Sequence, residues 1–543
     1  MTAFRGADLL ARALDRAGLR TVFTLSGNHI MPLFDAALGT GLQLIHVRHE
    51  AAAVHMADAF ARLTGRCGVA LVTGGAGHTN AVAALCTAQA AEAPLVLLSG
   101  HAGLNELGRG AFQELRQADM AEPVTKASWT AASAENLAHD LAEAVRIATS
   151  GRPGPVHVSL PVDLLDATLE ETDALWPAAE DFGPERRPLS DAAARAVLGA
   201  IEEAQRPLIL AGPHLCQTSN AGVLAALEAA TGVPVLGLES PRGVNDPKLG
   251  AFAEILPQAD LIVLVGKAHD FTLRFADPPF VDPSCRLIVL DPEPAMIERV
   301  AREKGPRLVL SSLADAPAAA ERLTALAEIP HPSAAWRDEV AAAIAHRPPA
   351  WANAESAEEA VHPVALCRAL QPLFEADREA VLVCDGGEIG QWPQSLVVPG
   401  KRVINGVAGS IGAATPFAIA ARLATGATVV AVMGDGAFGF HMTEFDTAMR
   451  AGLPFVAVVG NDATWNAEHQ IQLRSYGPDR THSCDLLPTR YDKVVEALGG
   501  HGEYVTRAED LGPALERALA SGKPACVNVR IARLPAPAIR RTR

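Results

Sequence analysis

No stretch of this 543-residue chain reaches the roughly 20 uninterrupted apolar residues of a membrane-spanning helix, so no membrane partner is expected. Basic charge is short as well. The formal net charge of −16 leaves little cationic surface for a phosphate backbone, which argues against nucleic acid as a partner. The basic end, Arg540-Arg541-Thr542-Arg543, reads as a frayed tail. Paired cysteine spacing is missing too: Cys67, Cys86, Cys216, Cys285, Cys367, Cys384, Cys484 and Cys526 are scattered, mostly in apolar runs, as reduced core residues rather than zinc ligands or disulfides. The opening MTAFRGADLLARALDRAG has the spacing of an amphipathic helix rather than of a signal peptide, and a cytoplasmic location is expected.

What is present is alternation. Apolar strands that end in glycine or polar turns exchange with Ala/Leu-rich helices from end to end, the pattern of parallel α/β sheets. Strands are expected at Thr21 to Leu25, Leu44 to Val47, Val69 to Val72, Leu95 to Leu98 and Val156 to Leu160, in PLILAG, PVLGL, LIVLVG and RLIVLD of the middle third, and at the start of VLVCDGGEIGQW and in ACVNVRI of the last. Proline-bearing stretches at Pro177 to Pro188 and Pro330 to Pro363 break the pattern. With 49% hydrophobic and 20% charged residues, the chain suits three α/β domains, at 1–176, 189–330 and 360–535. AEAPLVLLSG and AGLPFVAVVG place a helix, a Pro-led turn and a buried strand in the same order in the first and last domains. That echo is consistent with a duplicated domain or with an ordinary helix-to-strand loop.

The segment GDGAFGFHMTEFDTAMRAGLPFVAVVGND, residues 434 to 462, carries the most chemistry. An apolar strand leads into Gly434-Asp435-Gly436, a helix follows, and a second strand ends in Asn461-Asp462. Parallel strands deliver both turns to one sheet edge, where the N–H groups of Gly436 and Ala437 can face an anion. Asp435 and Asp462 offer hard oxygens to Mg²⁺, which shares its octahedral shell readily with phosphate. A lone GDG is weak evidence, and two matched turns one helix apart are much stronger.

This arrangement resembles the diphosphate-binding motif of the thiamine diphosphate enzymes. The resemblance implies three doubly wound parallel-sheet domains: pyrimidine-binding, central and diphosphate-binding. It also implies Mg²⁺ held by Asp435, Asp462 and the carbonyl of Thr464. Asp462 stands where the family usually has Asn, one extra negative charge on ligands that still suit the metal. Glu50, in HVRHEAAAVHMADAFAR, matches the glutamate that hydrogen-bonds the cofactor's aminopyrimidine; read alone it is a helix-start charge. The turn Gly409-Ser410-Ile411-Gly412 matches the one that bends the cofactor, with Ile411 as the wedge. Gly387 and Glu388 in DGGEIGQW match a backbone segment beside the diphosphate, and Gly434 and Trp465 complete the expected cofactor contacts. Because the family joins the two halves of its site across subunits, a homodimer or homotetramer is implied.

Within the family the chain resembles the acetolactate synthase-like group, and in it benzaldehyde lyase, through GNHIMPLF, RHEAAA, GVALVTGGAGHTNAV, AFQE, PVTK, EFDT and KPAC. By that resemblance His29 and Gln113 line the pocket near the reacting carbon, where imidazole or amide can relay protons or orient a carbonyl oxygen. Asn28 sits beside them. His78 either faces the site or satisfies a hydrogen bond in a turn. Glu468 is either an acid near the substrate or a solvated helix charge. Ile471 stands where acetohydroxyacid synthases carry tryptophan, and GKAHDFTLRFADPP replaces that group's flavin-contact signature, so FAD is not expected.

The implied activity is a lyase, carboligase or 2-ketoacid decarboxylase acting on a small carbonyl substrate through an acyl-anion or enamine equivalent. One alternative is a 2-hydroxyacyl-CoA lyase or oxalyl-CoA decarboxylase. Outside the class stand a flavin or nicotinamide oxidoreductase, disfavoured because AGPHL replaces GxGxxG after the first central strand, and a binding protein without activity.

Overall fold

The computed structural model describes residues 4–541. Three parallel sheets follow one another along the chain. The first contains β1 (Thr21–Thr24), β2 (Gln43–His46), β3 (Gly68–Val72), β4 (Leu95–His101), β5 (Ala127–Thr130) and β6 (Pro155–Pro161), in the spatial order β2-β1-β3-β4-β6-β5. The second contains β7 (Pro207–Ala211), β8 (Val235–Gly237), β9 (Leu261–Val265), β10 (Arg286–Asp291) and β11 (Leu308–Leu313), ordered β11-β10-β9-β7-β8. The third contains β12 (Val381–Cys384), β13 (Lys401–Ile404), β14 (Val429–Gly434), β15 (Val456–Asn461), β16 (His501–Val505) and β17 (Ala525–Arg530), ordered β13-β12-β14-β15-β17-β16. Numbered from its own first strand, the third sheet repeats the order of the first. The two echoing segments, AEAPLVLLSG and AGLPFVAVVG, form the fourth strand of each. The echo therefore marks equivalent positions in two similar sheets.

Continuous apolar runs form these strands because both faces are covered. In β7, Leu208 and Leu210 enter one core cluster while Ile209 and Ala211 enter another, as the two-residue period of a strand requires. Four strands not expected from the sequence, β5, β11, β13 and β16, all lie at sheet edges. Half-covered edges do not need unbroken apolar runs: β11 alternates between partly buried and exposed residues along its length.

By contact density the chain divides into two units. One holds the chain as far as Glu185 together with Thr415–Gly426 and His441–Leu453; the other holds the rest, including the second and third sheets. No helix among the described residues is long and apolar enough to cross a membrane. All eight cysteines are free, and six of them are buried.

Candidate functional site

In the second unit, β12, β14 and β15 are adjacent and parallel, so their carboxyl ends deliver three turns to one edge of the third sheet. These turns enclose a cavity of about 180 Å³ whose lining includes Gly387, Glu388, Ile411, Gly434, Asp435, Gly436, Ala437, Asp462, Thr464, Trp465 and Glu468. Eleven residues singled out from sequence thus meet in one place. The cavity sits where open α/β sheets bind ligands.

Asp435 begins helix α3 (Asp435–His441) and is buried; backbone N–H groups of Gly436, Ala463 and Thr464 approach its carboxyl, while its Oδ2 has no hydrogen-bond partner among the described residues. A buried acceptor left unpaired is costly unless something fills the vacant valence. Burial pushes the Asp435 carboxyl up, and burial together with the charge of Asp435 pushes Asp462 up. A buried carboxylate whose charge raises the proton affinity of a second one forms with it a pair that a divalent cation would relieve. Thr464 is buried beside them, its hydroxyl donating to the Asp462 carbonyl at 3.1 Å. Gly436 cannot be enlarged, since a Cβ there would stand 2.5 Å from the Trp465 ring.

The Gly409–Gly412 turn needs both glycines, with φ of +70° and +92°, and a Cβ on Gly412 would stand 2.5 Å from that of Phe440. Between them, Ile411 reaches the cavity and packs over Gly386, whose Cβ would stand 2.7 Å from Ile411 Cγ2. Ser410 is not among the residues lining the cavity, and its backbone carbonyl accepts from the Asn405 side chain at 2.9 Å. Sequence reasoning missed Asp385. Fully buried, it accepts N–H groups from Gly386 (2.7 Å), Gly412 (2.9 Å) and Ala414 (2.9 Å), tying the loop after β12 to the Ile411 turn. Burial pushes its carboxyl up to about 6. Glu388, by contrast, is engaged from the other side, by the Ala536 N–H and by Arg242 at 3.6 Å.

Glu468 is exposed in the first turn of α5 (Asn466–Tyr476), and Ile471, 48% exposed, lines a neighbouring cavity rather than this one.

In the first unit, Glu50 opens α1 (Glu50–Thr64) behind His49, whose ring accepts the Ala51 N–H at 3.2 Å. Glu50 is buried; its Oε2 accepts from Asn80 at 3.0 Å in α2 (Ala76–Ala90), and its Oε1 lies close over Gly77. The loop before it is braced by Glu444, which opens α4 (Glu444–Ala451). Its carboxylate accepts the Arg48 N–H at 3.0 and 3.2 Å and the Thr447 hydroxyl at 2.6 Å. Burial pushes Glu444 up to about 7. The EFDT stretch signalled this residue, although not its bracing role.

His29 is buried, bonded through Nδ1 to Thr73 Oγ1 at 3.2 Å and stacked on Phe112, and burial lowers its pKa so that the ring is neutral at pH 7. Gln113 adopts a φ of +57° and packs so tightly on Gly75 that a Cβ there would stand 2.7 Å away. Asn28 is exposed beside them. His78 has no exposed surface: its Nδ1 meets Ser99 Oγ at 2.9 Å, its ring lies 4.6 Å from that of His157, and burial lowers its pKa to about 4. The ring is only half satisfied, since its buried Nε2 has no hydrogen-bond partner among the described residues.

Comparison with known proteins agrees with this geometry. Residues 4–120 match the family model described as thiamine pyrophosphate enzyme, N-terminal TPP binding domain, and residues 385–529 match the corresponding C-terminal TPP binding domain. A probable acetolactate synthase of Mycobacterium bovis is 35% identical over 534 residues, covering 96% of this chain and 94% of that protein. The 2-hydroxyacyl-CoA lyase 2 of Homo sapiens is 30% identical over 588 residues, covering 97% and 90%. A catabolic acetolactate synthase of Raoultella terrigena is 30% identical over 547 residues, covering 97% and 95%. With two TPP-binding domains and full-length similarity to both kinds of enzyme, the chain belongs to the thiamine pyrophosphate enzymes, as an acetolactate synthase-like carboligase or lyase.

Proposed function

We propose that this enzyme makes or breaks a carbon–carbon bond beside the carbonyl of a small substrate, with thiamine diphosphate anchored through Mg²⁺. The observation that carries the metal assignment is the pair Asp435 and Asp462, with one buried carboxylate oxygen left unpartnered. These two carboxylates and the Thr464 carbonyl are the proposed ligands; Gly387, Gly434, Gly436, Ala437 and Trp465 flank the diphosphate, and Ile411 holds the cofactor bent. When bound, the cofactor supplies a nucleophilic carbon that adds to the carbonyl and accepts the electron pair of the bond that breaks.

Glu50 holds a proton at the pyrimidine ring, and Glu444 keeps Glu50 in place through the Arg48 backbone. His29, neutral and buried, is suited to orient a carbonyl oxygen or pass a proton, with Gln113 beside it and Asn28 at the rim. Glu468, exposed at the mouth of the diphosphate cavity, can exchange protons with solvent and substrate. We assign residues 1–176, 189–330 and 360–535 to the pyrimidine-binding, central and diphosphate-binding domains, and propose a cytoplasmic homodimer or homotetramer in which Glu50 of one copy serves the Asp435 site of another.

A second reading, 2-hydroxyacyl-CoA lyase, is favoured by the similarity to the human protein of that name across nearly the whole chain. Turnover of pyruvate, a benzoin-type ketol, oxalyl-CoA and a 2-hydroxyacyl-CoA by purified enzyme with Mg²⁺ and thiamine diphosphate separates the readings by the aldehyde or CO₂ released. Normal turnover by Glu50→Gln on the accepted donor would defeat the mechanism.

A further inference from the structure

His29 and Gln113, the pair proposed to meet the substrate carbonyl, each lean on a glycine. A Cβ on Gly100, in β4, would stand 2.7 Å from that of His29, and a Cβ on Gly75 would stand 2.7 Å from that of Gln113. In a close-packed interior, contacts this tight pass a backbone shift directly to the side chain that rests there.

One side chain holds both glycines. Gln117, the first residue of the short helix Gln117–Ala121, is 1% exposed. Its Oε1 accepts the Gly75 N–H at 2.8 Å, and its Nε2 donates to the Gly100 carbonyl at 3.1 Å and to Ser159 Oγ, in β6, at 3.0 Å. We propose that Gln117 is a positioning residue of the substrate site, whose single planar amide ties Gly75 to Gly100 and so fixes the separation of His29 from Gln113. This rests on the proposed function, which places those two residues at the substrate, and it names the group that governs how they meet the substrate carbonyl.

Neighbouring contacts carry the same brace. Gly74 lets its turn approach β4, since a Cβ on it would stand 2.7 Å from the Gly100 carbonyl oxygen. Thr73, at the start of that turn, meets His29 Nδ1 through its hydroxyl at 3.2 Å, so Gln117 reaches His29 through this turn as well as through Gly100. His101 Nε2 meets the Leu115 carbonyl at 2.8 Å, which anchors the loop between Gln113 and Gln117. The amide is matched to its partners. Its oxygen faces one donor and its NH₂ faces two acceptors, and a flipped amide would set like against like at both glycines. Glutamate has the same shape but no donor when ionised.

Hydrogen exchange on the cofactor-free chain reads the brace without turnover: peptides spanning residues 73–78 and 100–115 should exchange about tenfold faster or more in Gln117→Leu. In the holoenzyme, with the donor the parent accepts among pyruvate, a benzoin-type ketol, oxalyl-CoA and a 2-hydroxyacyl-CoA, that variant should lose about 30-fold or more in kcat/KM, while thiamine diphosphate affinity changes by less than about threefold. Gln117→Glu keeps the shape and decides the matter should the leucine variant not fold. Burial raises the pKa of the introduced carboxyl, which repels the Gly100 carbonyl when ionised and donates to it when protonated. Its kcat/KM relative to the parent should therefore recover about tenfold or more from pH 8 to pH 6, with one thiamine diphosphate per chain retained at both. His157, whose Nε2 lies 3.4 Å from Ser159 Oγ, and His78, against its ring, have pKa values lowered by burial and stay neutral over that range. Parent-like exchange or parent-like kcat/KM in Gln117→Leu overturns the proposal, as do a parallel loss of cofactor affinity and a Gln117→Glu ratio that is flat in pH. If the parent turns over none of the four donors, the proposed function fails, and the exchange experiment still decides the brace.

Discussion

Replacing Asp385 by alanine should loosen the diphosphate cavity although no atom of Asp385 lines it. Its carboxylate is fully buried and satisfies three backbone donors, Gly386, Gly412 and Ala414, at 2.7 to 3.1 Å. Truncation leaves those N–H groups without partners, at about 1–3 kcal/mol each. Allowing for relaxation and some entry of water, the net local loss is about 3–6 kcal/mol. A chain with several cores does not unfold in one step, so a global midpoint would blur this effect. Hydrogen exchange followed by mass spectrometry, on peptides covering residues 386–414, reads it locally: a loss of about 3 kcal/mol accelerates exchange on the order of 100-fold. Thiamine diphosphate affinity should fall at least tenfold, because Ile411 is no longer fixed over Gly386. Asp385→Asn should lie between, since its amide oxygen still accepts while its NH₂ confronts the remaining donors. Unchanged exchange and affinity in Asp385→Ala would refute the bracing role.

Glu444 sets a pH dependence. Its pKa is raised by burial from 4.5 to about 7, so the folded form holds the proton more tightly than the unfolded chain. The associated stability, about 3 kcal/mol, is fully present below about pH 4.5 and is lost as pH rises through about 7. Denaturation of the cofactor-free protein at pH 5 and 8 should show that slope in the parent and a flatter one in Glu444→Gln. Gly436→Ala places a methyl against the Trp465 ring, and fluorescence titration should show at least tenfold weaker cofactor binding with an unchanged circular dichroism spectrum. Asp462→Asn keeps an oxygen ligand and relieves repulsion with Asp435, so Mg²⁺-dependent cofactor binding should change by less than about tenfold, whereas Asp462→Ala should lose it by 100-fold or more.

Much of the third sheet's ligand-binding edge was legible in the sequence because its chemistry is local: the turn after β14 and the turn after β15 each lie within a few residues of an apolar strand. The inner strands were legible for the same reason, since burial on both faces demands unbroken apolar runs. Edge strands such as β13 and β16 were not, because a half-exposed strand tolerates Lys401 or Glu503 and its sequence resembles a loop. Asp385 and the bracing role of Glu444 escaped for a different reason. Each works through hydrogen bonds to backbone groups distant in sequence, Gly412 for one and Arg48 for the other. Side-chain spacing carries no signal for such a partner. His78 stands in a conspicuous GGAGHTN stretch, and spacing alone does not reveal that its ring bonds Ser99 and lies against His157 while its Nε2 stays without a partner among the described residues.

The central claim, that Asp435 and Asp462 grip the diphosphate through magnesium, is tested most directly by titrating thiamine diphosphate into the purified protein with Mg²⁺ and again with EDTA. The account predicts saturable binding, one cofactor per chain, that is abolished by EDTA and by Asp435→Ala. Binding of equal strength without divalent metal, or in Asp435→Ala, would contradict it.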